Sequence, residues 1–226
     1  VQDALEPALA SIAGSPVKLT GAGRTDRGVH ARLQVAHFDT EVKRPPSAWV
    51  RGVNALLSDS VAVLWSQEVP DDFHARYSAH ARSYRYELLN RPVRPGLAAH
   101  YVSWFHLPLD VERMRAAAAL FVGEHDFSAF RSSECQAKSP VRTIHQFEIS
   151  KRGETIDFVV RANAFLHHMV RNMVGTLVYV GKGKHPPQWV QQLLQAKDRR
   201  KSAPTFGPQG LYLERIEYEA KWGLPL

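Results

Sequence analysis

Residues 21–31 read Gly-Ala-Gly-Arg-Thr-Asp-Arg-Gly-Val-His-Ala, which sets one carboxylate, Asp26, between two arginines in a glycine-rich stretch. Gly21, Gly23 and Gly28 let a backbone turn sharply and approach a ligand where a Cβ would clash, so the stretch is expected to be a tight loop. Arg24 and Arg27 supply cations beside Asp26, and a nearby guanidinium favours the ionised form of a carboxylate. Asp26 is therefore expected to be a charged nucleophile or electrostatic stabiliser at neutral pH, not a proton donor. An aspartate between glycines is also an ordinary turn or helix-cap residue, and the loop alone leaves that reading open. A nucleotide loop fits less well. The dinucleotide fingerprint wants a third glycine where Asp26 stands, and no Gly-Lys-Ser/Thr follows for a phosphate loop.

The flanking segments must hold that loop in place. Residues 17–20 are expected as a short strand entering it, and residues 33–38 alternate as a strand leaving it. Val1, Leu5, Leu9 and Ile12 stand at helical spacing, so a helix is already under way at residue 1, although Pro7 interrupts its donors. Pro45-Pro46-Ser47 reads as a second helix start with Ser47 as cap, Trp49, Val50, Val53 and Leu57 forming the buried stripe. Residues 61–69 alternate as a strand. Residues 81–89 form another, with Arg82, Tyr84, Tyr86 and Leu88 on one face, where paired tyrosines ordinarily serve packing. Arg91-Pro92-Val93-Arg94-Pro95-Gly96 is the best break, placing a boundary near residue 102 between halves 1–102 and 103–226.

In the second half, helices are expected at 110–122, 165–180 and 187–196 and strands at 141–151, 155–162 and 211–218, making the chain α+β. In the 165–180 segment Leu166, Met169, Val170, Met173, Val174 and Leu177 form the buried face, with His167 and Arg171 four apart on its edge. A cation at the rim of an apolar face can meet a carboxylate from another element. It can equally be a snorkelling arginine.

The bulk composition narrows the classes. The 226 residues carry 29 Lys plus Arg against 22 Asp plus Glu, a net charge of +7 that suits a polyanionic partner or a solvated basic surface. The basic stretches are 131–138, 182–185 and 197–201, each a possible grip on phosphates. No apolar run is long enough to span a bilayer, and no signal peptide is visible. The lone Cys135 excludes an internal disulfide and fits a reducing compartment. The 11 histidines are scattered without a His-Glu-x-x-His motif, so no metal site is expected.

Three separated segments then agree. Gly-Arg-Thr-Asp-Arg-Gly-Val-His-Ala at 23–31, Phe-His-Ala-Arg-Tyr-Ser-Ala-His-Ala-Arg-Ser-Tyr-Arg-Tyr at 73–86 and Asn-Ala-Phe-Leu-His-His-Met-Val-Arg-Asn-Met-Val-Gly at 163–175 resemble the signature segments of the tRNA pseudouridine synthase A family. Gly-Glu-His-Asp-Phe-Ser-Ala-Phe at 123–130 and Gly-Leu-Tyr-Leu at 210–213 are similar as well. The resemblance implies the pseudouridine synthase fold: two similar halves, with mixed or antiparallel sheets packed by helices, around a central basic cleft. It also implies a cytoplasmic homodimer that isomerises uridine to pseudouridine in the tRNA anticodon stem-loop, at positions thirty-eight to forty, without metal or cofactor. By the same resemblance Asp26 is the catalytic aspartate, and Arg171 is the arginine that pairs with it. Tyr84 is the tyrosine that packs on the target base, and Arg24 is an active-site arginine that helps the base leave the stack. Arg27, Arg131 and Lys138 are candidates for RNA contact.

The chemistry suits these residue types. Moving a ribose from N1 to C5 of one uracil breaks a glycosidic bond through a sugar that gains positive character, which an ionised carboxylate near C1′ can stabilise or trap. The nucleotide must first be extruded from its stack. Two rival readings share part of this pattern. A non-catalytic RNA-binding module explains the charge but not a carboxylate between arginines, and a nucleoside hydrolase or transferase needs no basic loops. Family members carry a strand and an aromatic-rich turn ahead of the first helix. This chain is accordingly expected to be a fragment whose first-half sheet has an open edge or slot beside one strand.

Overall fold

The computed structural model describes residues 1–225. In chain order its elements are α1 (Gln2–Ala13), β1 (Thr20–Gly21), β2 (His30–Ala31), β3 (Ala36–His37), α2 (Pro46–Asn54), β4 (Ala79–Asn90) and β5 (Ser103–Phe105). They continue as α3 (Val111–Ala119), β6 (Gly123–Asp126), β7 (Val141–Arg152), β8 (Thr155–Ala162), α4 (Met169–Gly181), α5 (Trp189–Ala196) and β9 (Leu211–Tyr218). The chain is α+β. It divides into two compact units, one made of Val1–Arg24, Gln34–His80 and the stretch from Ile216 onward, the other of Thr25–Leu33 and Ala81–Arg215. That division does not follow a cut near residue 102, because β4, which precedes the cut, pairs along its length with β8, which follows it.

In the first unit α1 packs on α2 around Ala8, Leu9, Ala13, Trp49 and Val53, with Val17 and Leu19 completing the core. Gly52 makes the close crossing possible, since a Cβ there would stand 2.6 Å from Ile12 Cδ1. Val1 occupies the N-cap position of α1 without a side-chain cap, and Pro7 lies inside the helix. Ser47 is not the cap of α2. Pro45 occupies that position, and Pro46 opens the helix, where its missing N–H is no loss. The strand pair is shorter than the alternation suggests: β1 and β3 pair over Thr20 with His37 and Gly21 with Ala36. Among the described residues these two strands pair only with each other. The open edge expected of the first half therefore exists.

Residues 61–69 form no strand. Their alternation has another cause. Val63 packs at the edge of the helical core, and both of its backbone groups are taken by one side chain: its N–H donates to Asn54 Oδ1 at 2.7 Å, and Asn54 Nδ2 donates to its C=O at 2.8 Å. The amide thus replaces a neighbouring strand.

In the second unit the sheet runs β2-β9-β4-β8-β7-β6, with β5 beside β4. β2 runs parallel to β9 and β5 parallel to β4, while β4, β8, β7 and β6 are antiparallel, with a register shift in β7 between Ile144 and Gln146. The alternation placed β8 and β9 correctly but gave no sign of β2, β5 or β6, which are too short to show a period. Tyr86, Leu88, Ile156, Phe158 and Val160 point from the sheet into a core closed by Met114, Phe121, Met173 and Leu177. Asp110 caps α3 by accepting from the Arg113 N–H at 3.0 Å. α4 is buried on almost every side and is the hub of this unit.

The chain also passes very close to β4 at Gly210. A Cβ there would lie 2.2 Å from the Glu87 carbonyl and 2.9 Å from the Ser103 nitrogen. Gly210→Ala is therefore expected to destabilise the protein by about 1–3 kcal/mol, seen as a drop of several degrees in Tm. An unchanged melting curve would show that the crossing relaxes freely.

Candidate active site

Asp26 sits in a turn closed by its own carbonyl, which accepts from the Val29 N–H at 3.0 Å. Of the glycines around it, Gly28 has the special backbone. Its φ is 82°, and a Cβ would stand 3.1 Å from Pro208 Cγ, so both conformation and space require glycine. The carboxylate is partly buried and receives three donors: His167 Nε2 lies 3.1 Å from Oδ1, while His168 Nε2 at 3.2 Å and Arg171 Nη1 at 3.0 Å share Oδ2. The sequence neighbours Arg24 and Arg27 are both exposed. The cation that meets Asp26 comes from α4.

Arg171 is itself held in place. Its Nε donates to the Phe206 carbonyl at 2.9 Å, so one guanidinium bridges a backbone oxygen and the carboxylate. The segment carrying Phe206 is pinned in turn. Tyr86 donates its hydroxyl to the Gly207 carbonyl at 2.6 Å. Thr205 Oγ1 and Arg199 Nη2 both donate to Asn172 Oδ1, at 2.7 and 3.0 Å. Gly175 admits the Pro204 carbonyl, which would lie 2.4 Å from a Cβ. Tyr86 is thus a core residue, as paired strand tyrosines ordinarily are.

Tyr84 is only partly buried and meets Phe165 edge to face, with ring centroids 5.0 Å apart. Burial pushes its phenol up to about 12, the charge of Asp26 adding to the effect and Arg82 opposing it. At neutral pH Tyr84 keeps its proton. It can donate a hydrogen bond or stack, but it is not an anionic base.

The helix expected from residue 165 begins four residues later. His168 stands at its N-cap with φ 63°, a left-handed conformation that a continuing helix does not allow, so His167 lies before α4 and not on its edge. Helical periodicity carries no sign of this turn, and His168 is the contact that the sequence reading missed. Burial lowers its pKa from the usual 6.5, with His167 and Arg171 adding to the effect and Asp26 and Glu134 opposing it, so His168 is neutral at pH 7. Asp26, His167 and His168 offer ligand atoms within 4.8 Å of one another, a spacing that a divalent ion could bridge. The fixed charge of Arg171 on the same carboxylate opposes a second cation there.

Of the basic loop residues, Arg131 faces inward: its Nη2 donates to the carbonyls of Cys135 at 2.5 Å and Ala137 at 2.9 Å, shaping its own loop. Lys138 is exposed. No helix among the described residues is long and apolar enough to cross a membrane.

Comparison with known proteins leads to the same segments. The sequence model of the family described as "tRNA pseudouridine synthase" matches residues 1–78 and 117–219. The chain is 59% identical over 225 residues to the tRNA pseudouridine synthase A of Dechloromonas aromatica, covering 100% of this chain and 86% of that protein. It is 56% identical over 225 residues to the proteins of the same name from Nitrosomonas eutropha and Methylobacillus flagellatus, covering 81% and 86% of them. With a family match across both compact units and full-length identity at this level, the chain belongs to the tRNA pseudouridine synthase family.

Proposed function

We propose that this protein isomerises uridine to pseudouridine in the anticodon stem-loop of tRNA, at positions thirty-eight to forty, with Asp26 as the catalytic carboxylate. The observation that carries the proposal is the triple hydrogen bonding of Asp26 by His167, His168 and Arg171, groups drawn from two separated signature segments. A carboxylate fixed in this way is oriented before substrate arrives, as stabilisation of a cationic sugar requires. Tyr84, protonated and beside Asp26, is suited to stack on the detached uracil and to donate a hydrogen bond to it. Arg24 is assigned the task of holding the extruded nucleotide, and its exposure supports that reading. Incubation with unmodified tRNA and with free uridine, followed by nucleoside analysis, tests the proposal. Pseudouridine in the tRNA alone is expected. Its absence from both reactions would favour a binding module, and uracil released from free uridine would favour a hydrolase.

For the grip on RNA, exposed Lys138 is the phosphate contact and Arg131 maintains the loop that presents it. Lys138→Ala is expected to weaken tRNA binding and to reduce the slope of log K against log salt by about one. An unchanged slope would remove Lys138 from the footprint. We further propose a cytoplasmic homodimer. Val93, Leu97 and Tyr101 are exposed apolar residues of one segment, and they support a second copy as the covering surface. The free thiol of Cys135 suits a reducing compartment.

A further inference from the structure

The two oxygens of Asp26 are hydrogen-bonded unequally. Oδ2 receives both Arg171 Nη1 and His168 Nε2, whereas Oδ1 receives His167 Nε2 alone. A carboxylate only accepts, so each imidazole presents a protonated Nε2. On a regular helix, side chains at adjacent positions diverge by about 100° around the axis and could not reach one carboxylate together. Here they converge because His168 turns left-handed, which brings the two rings to a centroid separation of 3.9 Å. The donors also differ in exposure. The His167 side chain is 34% exposed, against 26% for His168 and 13% for Arg171, so the donor on Oδ1 is the one with the most room to move.

We propose that His168 is a positioning residue that, together with Arg171, anchors Oδ2 and leaves Oδ1 as the oxygen that faces ribose C1′, His167 giving up its hydrogen bond as the ribose arrives. This rests on the reading of Asp26 as the reacting carboxylate. Each donor draws on the lone pairs of the oxygen it meets, and Oδ2 carries two donors where Oδ1 carries one. The left-handed turn then has a function: it commits a second donor to the anchored oxygen without moving Arg171 off the Phe206 carbonyl.

The test compares two substitutions at one backbone position. Asparagine tolerates the left-handed conformation but is too short to reach Oδ2, whereas glutamine places an amide N–H where Nε2 stands but suits the turn less well. Single-turnover rates with unmodified tRNA and excess enzyme are measured with tRNA Kd and Tm. His168→Asn is expected to slow the chemical step about 10- to 100-fold with Kd within about threefold of the parent, and His168→Gln to recover most of that loss. His167→Ala retains the backbone contacts of that residue, the N–H to Cys135 Sγ and the C=O from the Ser132 N–H, and is expected to slow the step less than His168→Asn does. A parental rate for His168→Asn, a slower rate for His168→Gln than for His168→Asn, or a larger loss for His167→Ala would each overturn the proposal. Asp26→Asn assayed alongside separates the two levels. Turnover by that variant removes the underlying reading, whereas an inactive Asp26→Asn with a reversed histidine order removes only the division of labour.

Discussion

Asp26→Asn is expected to lower the rate of pseudouridine formation by at least about 10³-fold while leaving tRNA affinity nearly unchanged. The amide keeps the shape of the side chain and the three surrounding groups can still be satisfied. Its oxygen can accept from Arg171 and His168, and its NH₂ can face His167 if that imidazole exchanges tautomers and accepts at Nε2. Geometry is thus retained and only the negative charge is lost, which makes the variant a test of charge at C1′ and not of folding. Filter binding of tRNA and single-turnover assays on the same preparation make the distinction. Turnover within tenfold of the parent would remove Asp26 from its assigned role. A large loss of affinity would instead make Asp26 an organiser of the binding surface.

Legibility of this site in the sequence followed the range of the signal. α3 was visible because Asp110 caps it, and β8 and β9 because their alternation runs for eight residues each. Residues 61–69 alternate as regularly, yet Asn54 takes the backbone groups that a neighbouring strand would have taken. No pattern within the segment reports what lies across from it. Arg171 could be found as a cation on the rim of an apolar helix face, a position that follows from periodicity. His168 could not, since its part depends on a left-handed turn that composition does not mark in a histidine. The Phe206 carbonyl was invisible for a further reason. A backbone acceptor is offered by every residue, so only the folded path of residues 203–210 singles it out. Arg131 shows the converse limit, a cation at a loop end that reads as a phosphate grip and instead ties its own loop.

Arg171 is the second position at which a large effect is expected, and the comparison of Arg171→Lys with Arg171→Met isolates its cause. The guanidinium makes two directed contacts at once, Nε to the Phe206 carbonyl and Nη1 to Asp26 Oδ2. A lysine ammonium carries the same charge, but it is a compact point charge on a flexible stem and lacks the fixed fork that spans both acceptors. Losing a hydrogen bond to a charged group costs about 1.5–3 kcal/mol, which is about 10- to 100-fold or somewhat more in rate when it is expressed in the transition state. Arg171→Met, which removes both charge and donors, is expected to slow the chemical step by about 10²-fold. Arg171→Lys is expected to slow it by about tenfold, because the charge remains near Oδ2 while the aim is lost. Both variants leave the Phe206 carbonyl without its partner, so amide exchange in residues 203–210 is expected to quicken in both to a similar degree. That shared structural effect provides the control. If lysine restored the parental rate while exchange stayed fast, charge alone would be the contribution of Arg171. If methionine and lysine were equally slow, the bridge to Phe206 would be the part that matters.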